Sequence, residues 1–177
     1  SAVLPYGGAL KPDGTYPFEP PAPKTMPDGR PFLPARDFSG VGLKGLYIPS
    51  EPLAALRAAV GTGNVRFDTG VDLQSAAAAA RAATVAIVVV NQINSEGSDG
   101  VSIILPGEQD KLVEAVAAAN PNTIVLVQSG NPVAMPWLGK VKAALEIWYP
   151  GQDGATAIAN VLFGKVNPSG RLPMTFP

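Results

Sequence analysis

The spacing of apolar and polar positions changes several times along the chain, and each change predicts an element. In "EPLAALRAAV" (residues 51–60), the leucines and the final valine recur at helical spacing. The Ala-rich "DLQSAAAAARAA" (72–83) favours a second helix, with Asp72 as its N-cap. Between these predicted helices, "NVRFDTG" (64–70) has the composition of a short strand that ends in a turn.

Three later segments are apolar without alternation, which is typical of strands buried on both faces. They are "TVAIVVV" (84–90), "NTIVLVQ" (122–128) and "AALEIWY" (143–149). Helical patterns follow the first and the third of them, in "PGEQDKLVEAVAAAN" (106–120) and "DGATAIANVLFG" (153–164). This order predicts an α/β fold, a three-layer sandwich with a mostly parallel central sheet. We expect the core of the sheet in residues 85–90, 124–127 and 144–147, and a last short strand in "RLPMTFP" (171–177).

The first 50 residues have a different composition, because proline and glycine crowd segments such as "YPFEPPAPKTMPDGRPFLP". Proline removes amide donors and fixes φ, so we expect irregular structure here, apart from a short strand in "GLYIPS" (45–50). Residues 1–50 are therefore predicted to be an arm packed on the domain. Residues 51–177 are predicted to be the α/β sandwich domain itself.

Ligands of parallel α/β sheets bind beyond the carboxyl ends of the strands, where this chain has three loops (91–106, 129–137 and 150–153). The first contains "NSEGSDG", with the carboxylates Glu96 and Asp99. Such a turn is more often only a solvated one, in which Asp99 caps local amides. The functional interpretation is a carboxyl group carried by a loop at the ligand-binding edge.

The composition of the chain limits which partners and which catalytic groups are possible. The net charge is −1 without any basic run, so nothing indicates a nucleic acid or an anionic membrane as partner. No apolar stretch is long enough to span a bilayer. Cysteine and histidine are absent, which excludes thiolate chemistry, histidine bases and histidine metal sites within this chain. Acid/base chemistry would have to come from carboxylates. The turns "SGNP" and "YPGQDG" do not match the spacing of nucleotide-binding loops.

Several motifs together resemble one family. They are "EGSDG", "LPGEQD", "ANPNT", "GNPVAMPW", "WYPGQDG" and "NPSGRLP". From about residue 86 to residue 177 the chain is similar to the second domain of family 3 glycoside hydrolases of the β-glucosidase type. Residues 1–85 match more loosely, as the preceding part of the same domain.

The resemblance implies a division of labour between two domains. A (β/α) barrel would bind the β-glucoside or oligosaccharide and supply an Asp nucleophile, and the sandwich domain would lend a loop carrying the general acid/base. A Glu-Gly-x-Asp motif assigns that role to Glu96, although many members have Arg where this chain has Gly100. Asp99, Asn131 and Gln152 are candidates for residues adjacent to the substrate. The resemblance implies no metal and no organic cofactor, and a secreted or periplasmic location.

The barrel is not in this sequence, so we expect a fragment of a larger retaining β-glycosidase that is inactive when isolated. Two alternatives stay open. One is a non-catalytic scaffold or carbohydrate-binding domain of the same origin. The other is an unrelated flavodoxin-like ligand-binding domain, which bound nucleotide or flavin would favour.

Overall fold

A parallel sheet lies between two layers of helices. The computed structural model describes residues 52–92, 102–151 and 153–177, and the backbone of strands at 24–25, 31–38 and 43–47. The sheet consists of β4 (Ala86–Asn91), β5 (Thr123–Gln128) and β6 (Ala143–Glu146), in that order. Both pairings are parallel, with Val88 beside Val125 and Val125 beside Ala144. The predicted α/β sandwich is confirmed.

Side chains alternate between the two faces of this sheet, and helices cover both faces. On one face, Val88, Val90, Val125 and Val127 pack with residues of α2 (Leu73–Arg81) and α3 (Gln109–Ala119). On the other, Val89 and Leu126 pack against Ile158 of α4 (Gly154–Leu162), and α1 (Pro52–Val60) lies against α4. Coverage on both sides explains why the strand sequences are apolar throughout instead of alternating.

The helices begin and end where their sequences favour it. The Asp72 carboxylate accepts hydrogen bonds from the amides of Gln74 and Ser75, so the predicted N-cap of α2 is confirmed. Helix α3 buries Leu112, Val113 and Val116 on one face. After α4, Gly164 takes a left-handed conformation (φ +69°), which glycine adopts without steric cost.

Three predictions about strands are wrong in detail. Val85 precedes the paired part of β4 and is 46% exposed, so it does not belong to the core. Residues 64–70 form no strand, because the Asp68 side chain accepts a hydrogen bond from the Gly70 amide (2.8 Å) and turns the chain. Residues 171–177 form no strand either, and Phe176 instead packs edge-on against Trp148, with ring centroids 6.1 Å apart.

The proline-rich first part of the chain contains more regular structure than expected. Strands β1 (Lys24–Thr25), β2 (Pro31–Phe38) and β3 (Leu43–Tyr47) form an antiparallel sheet. The prediction of irregular structure is wrong for these segments. A strand was predicted only at residues 45–50, and it overlaps β3 at residues 45–47. The prolines are accommodated because Pro31 begins β2 and Pro34 lies where the register shifts between Leu33 and Arg36. The division into an arm and a domain at residue 50 stays a prediction.

Val125→Asp tests the two-sided burial of the sheet. Val125 lies in the central strand and is fully buried, and an unpaired buried charge typically costs about 3–5 kcal/mol. We expect the variant to lose its cooperative urea-unfolding transition or to become insoluble. Val71→Asp is the matched control, because Val71 is 80% exposed and should change stability by less than about 0.5 kcal/mol. A Val125→Asp variant as stable as the control would contradict the assigned sheet.

Candidate functional site at the carboxyl edge of the sheet

The three parallel strands end side by side. Asn91 pairs with Gln128, and Val127 pairs with Glu146, so the segments that follow the strands all leave from one edge. The segment that follows β4 is the one that carries Glu96 in the sequence. The edge is also where α/β sheets bind ligands.

The described residues include only one of the four predicted site residues. Glu96, Asp99 and Gln152 lie outside them. Asn131 is exposed at the carboxyl edge, and its carbonyl accepts a hydrogen bond from the Ser129 hydroxyl at 2.7 Å. The role of Asn131 beside the substrate stays a prediction, as do the roles of the other three.

Gln109, in the first turn of α3, holds the end of β4. Its side-chain oxygen accepts from the Asn91 amide (2.7 Å), and its side-chain nitrogen donates to the Asn91 carbonyl (2.8 Å). The same nitrogen donates to the Pro106 carbonyl (2.9 Å). The side chain thereby pairs with the backbone as a further strand would, and it couples the strand to the start of the helix.

Gln92, the next residue, joins the two sides of the segment that carries Glu96. Its backbone amide continues the ladder to the Gln128 carbonyl (2.9 Å), and its side-chain nitrogen donates to the Ser102 carbonyl (2.7 Å). The Gln92 carbonyl accepts a hydrogen bond from the Tyr149 hydroxyl (2.7 Å). Residues 92 and 102 are therefore held together across the nine residues between them.

Glu146 is a half-buried carboxylate at the end of β6. One of its oxygens accepts from the amides of Trp148 (2.8 Å) and Ser129 (3.4 Å), and the other lies 3.2 Å from the Ser129 hydroxyl. Burial raises the pKa of Glu146 above its ordinary value of 4.5, and the hydrogen bonds from Trp148 and Ser129 oppose this rise without cancelling it.

The hydrogen bonds of Ser129 fit a protonated Glu146. A hydroxyl group has one hydrogen, and the shorter of its two contacts runs to the Asn131 carbonyl. A protonated Glu146 oxygen could then donate to Ser129 Oγ, and no acceptor would be left without a hydrogen. Burial and this hydrogen-bond geometry act in the same direction, since both raise the pKa of Glu146 above its ordinary value.

The chain turns sharply after Glu146. Within the described part of the chain, Trp148 is the only non-glycine residue with a positive φ, at +49°. Such backbone conformations cost of order 1–3 kcal/mol and persist where surrounding contacts impose them. Here the Glu146 carboxylate accepts the Trp148 amide, and the Trp148 ring packs on Phe176. The turn explains why β6 ends at Glu146, three residues earlier than predicted, and it directs Tyr149 back towards β4.

The described residues contain no group of three or more acidic side chains close enough to hold a metal ion. Among the helices of the same ranges, none is long and apolar enough to cross a membrane.

Trp137 is fully buried under the edge, and its indole nitrogen donates to the Asp110 carboxylate (2.7 Å). It is therefore a core anchor.

The sequence profile of the Glycosyl hydrolase family 3 C-terminal domain matches residues 25–177. The chain belongs to this family. Membership decides against the unrelated flavodoxin-like alternative and confirms the resemblance found in the motifs.

Beta-glucosidases that are similar to the chain are much longer than it is. A beta-glucosidase from Rhizobium radiobacter is 57% identical over 84 residues, which are 48% of this chain and 10% of that protein. Beta-glucosidase B from Emericella nidulans is 60% identical over 85 residues, 47% of this chain and 10% of that protein. The chain thus spans about one tenth of the length of the curated relatives it matches.

Solved structures of beta-glucosidases have a similar fold over the matched region. DesR, a beta-glucosidase from Streptomyces venezuelae crystallised in complex with D-glucose, is 51% identical with a TM-score of 0.58, over 59% of this chain and 14% of that one. A beta-glucosidase from Neurospora crassa is 31% identical with a TM-score of 0.65, over 77% of this chain and 18% of that one.

Sequence reasoning missed four residues that the structure places at this edge of the family 3 domain: Gln92, Gln109, Glu146 and Tyr149. Glu146 had a usable signal, because it is the one charge within the otherwise apolar "AALEIWY". Gln92 and Gln109 act through backbone groups that are distant in sequence, which no local pattern reveals.

Glu146→Gln tests the electrostatics of the edge. Since the native pKa is raised, protonation of Glu146 stabilises the fold below the unfolded pKa near 4.5, and this contribution is lost as pH rises through the native pKa. The variant amide can donate to Ser129 Oγ at every pH. We therefore expect the stability of the variant relative to wild type to increase between pH 4 and pH 8, measured by urea unfolding. A relative stability that falls over the same range would contradict the assignment.

Proposed function

We propose that this chain is the acid/base-supplying domain of a retaining β-glucosidase and that Glu96 is the general acid/base. The observation that carries the proposal is the placement of both ends of its loop. Residues 92 and 102 meet at the carboxyl edge of the sheet, joined by the Gln92 side chain and the Ser102 carbonyl. The names of the relatives support the substrate class, since they are beta-glucosidases and one was crystallised with D-glucose.

The reaction needs two carboxyl groups about 5–5.5 Å apart, one on each side of the glycosidic bond. An Asp of the barrel domain attacks the anomeric carbon, and the bond to the leaving oxygen breaks as Glu96 gives that oxygen its proton. A glycosyl-enzyme ester results. Glu96, now a carboxylate, takes a proton from water, which attacks the anomeric carbon and releases the sugar with its original configuration.

A carboxyl group can donate a proton near neutral pH only if its pKa is raised. In the proposed enzyme, the negative charge of the nucleophile and burial of the loop against the barrel would raise the pKa of Glu96. In this proposal the nucleophile and the pocket that holds the sugar belong to the barrel domain, so the inactivity of the isolated chain stays a prediction.

Glu146 is the rival acid among the described residues, because it lies at the same edge and its pKa is raised. Its contacts favour a structural role. Both of its oxygens face Ser129 or Trp148, so a leaving group would have to displace these contacts to take its proton. The loop carboxylate Glu96 is the better candidate for a group that must reach a substrate on a second domain.

Glu96→Gln in the full-length enzyme tests the proposal. We expect kcat/KM to fall by roughly 10²–10⁴-fold for alkyl glucosides, whose leaving groups need protonation. For 2,4-dinitrophenyl β-glucoside the loss in kcat/KM should be much smaller, because that leaving group departs without a proton. Initial rates across a series of leaving groups measure the difference.

Glu114→Gln is the matched control, since Glu114 lies on α3 in an exposed ion pair with Lys140 and is outside the edge. It should leave the dependence on the leaving group unchanged. Equal losses of kcat/KM on both types of substrate in Glu96→Gln would contradict the acid/base role. A fully active variant would favour the scaffold alternative.

A further inference from the structure

We infer that Tyr149 is a positioning residue, which fixes the acid/base loop through the carbonyl of Gln92. The inference rests on the proposed function, because it concerns the loop that carries Glu96. Tyr149 follows a different strand, β6, and acts through one specific hydrogen bond. The role differs from catalysis, since Tyr149 acts through the backbone at the start of the loop.

The hydrogen-bond ladder of the sheet stops at Gln92. The Gln92 amide still pairs with the Gln128 carbonyl, as in a continuing parallel strand. The Gln92 carbonyl instead accepts a hydrogen bond from the Tyr149 hydroxyl. The Tyr149 hydroxyl therefore takes the place of a backbone amide of the neighbouring strand. It does so at the last residue that is hydrogen-bonded to β5, immediately before the segment that leads to Glu96.

The tyrosine side chain crosses the end of the sheet to reach Gln92. Tyr149 follows β6 and contacts the end of β4, so its ring must pass over the end of β5, which lies between them. Gly130 leaves that space open. A Cβ atom at Gly130 would lie 3.0 Å from Tyr149 Cε2, closer than carbon atoms pack without displacement.

The turn that precedes Tyr149 directs its ring. The turn at Trp148 has the positive φ described above, and the Glu146 carboxylate accepts its amide at 2.8 Å. The cost of this conformation needs a compensating contact, and the bond from Tyr149 to Gln92 is one. Glu146, Trp148 and Tyr149 thus form a continuous connection from the end of β6 to the base of the loop.

Gln92 also holds the second side of the loop. The backbone carbonyl of Gln92 accepts a hydrogen bond from the Tyr149 hydroxyl, and the Gln92 side chain donates one to the Ser102 carbonyl. Gln92 therefore connects Tyr149 to the far end of the loop. Displacing the Gln92 backbone would shift the two ends of the loop together. A shift of about 1 Å in a catalytic group can cost on the order of 10²-fold in rate.

The experiment is Tyr149→Phe in the full-length enzyme, with kcat/KM measured for an alkyl glucoside and for 2,4-dinitrophenyl β-glucoside. Removing the hydroxyl should lower kcat/KM roughly 10-fold for the alkyl glucoside and less than about 2-fold for the activated one. Gly130→Ala, which displaces the ring by a different route, should produce the same selective loss. In the Glu96→Gln background, Tyr149→Phe should cause no further loss, because the group it positions is already gone.

Thr123→Val is the matched control. Its hydroxyl donates to the Asn120 carbonyl at 2.7 Å, a bond of the same type and length at the opposite end of β5. Both variants should lower the melting temperature, whereas only Tyr149→Phe should change the dependence on the leaving group. Equal losses on both substrates in Tyr149→Phe, or the same selectivity in Thr123→Val, would overturn the inference.

The two proposals fail in different ways. If Glu96→Gln shows the expected selectivity and Tyr149→Phe does not, the positioning role is wrong and the proposed function stands. If Glu96→Gln itself shows no selectivity, the proposed function is wrong and the positioning role falls with it.

Discussion

Burial of the β4–β6 sheet on both faces is the constraint on which the rest of the structure depends. Val88 and Val125 face helices α2 and α3, while Val89 and Leu126 face α4. A sheet covered on both sides can expose its polar chemistry only at its edges and ends. Because the three strands are parallel and in register, their carboxyl ends coincide, and the polar side chains collect there.

The groups at that end of the sheet form one connected set of hydrogen bonds. Gln109 holds the last residue of β4, Gln92 joins both sides of the next segment, and Glu146 fixes the turn that brings Tyr149 to Gln92. Each of these bonds ends on a backbone group. These partly buried polar contacts therefore fix the path of the main chain, as the proposed presentation of a loop to a second domain would require.

The fold could be predicted from the sequence because its strongest signals are local. Uninterrupted apolar segments and the Asp72 cap each depend on residues close together in the chain, and the structure confirms both. The errors arose where a side chain overrides the local pattern. Asp68 turns residues 64–70 away from a strand, and the turn at Trp148 ends β6 early.

The candidate site was only partly predictable. A parallel sheet indicates which edge to examine, and the Glu-Gly-x-Asp motif indicates Glu96, whose role stays a prediction. The hydrogen bond from Tyr149 to Gln92 joins residues that are 57 positions apart, and no pattern in the sequence predicts it. The prolines led to a prediction of irregular structure where β2 forms. Pro31 begins the strand and Pro34 lies at its register shift, and a strand tolerates proline at both kinds of position.

The most direct test of the account is chemical rescue of Glu96→Ala in the full-length enzyme by azide, with 2,4-dinitrophenyl β-glucoside as substrate. If Glu96 is the acid/base, the glycosyl-enzyme still forms and azide enters from the face that Glu96 has vacated. The account predicts restored turnover and a β-configured glucosyl azide, identified by NMR. An α-configured product would mean that the residue removed was the nucleophile, and it would contradict the division of roles between the two domains.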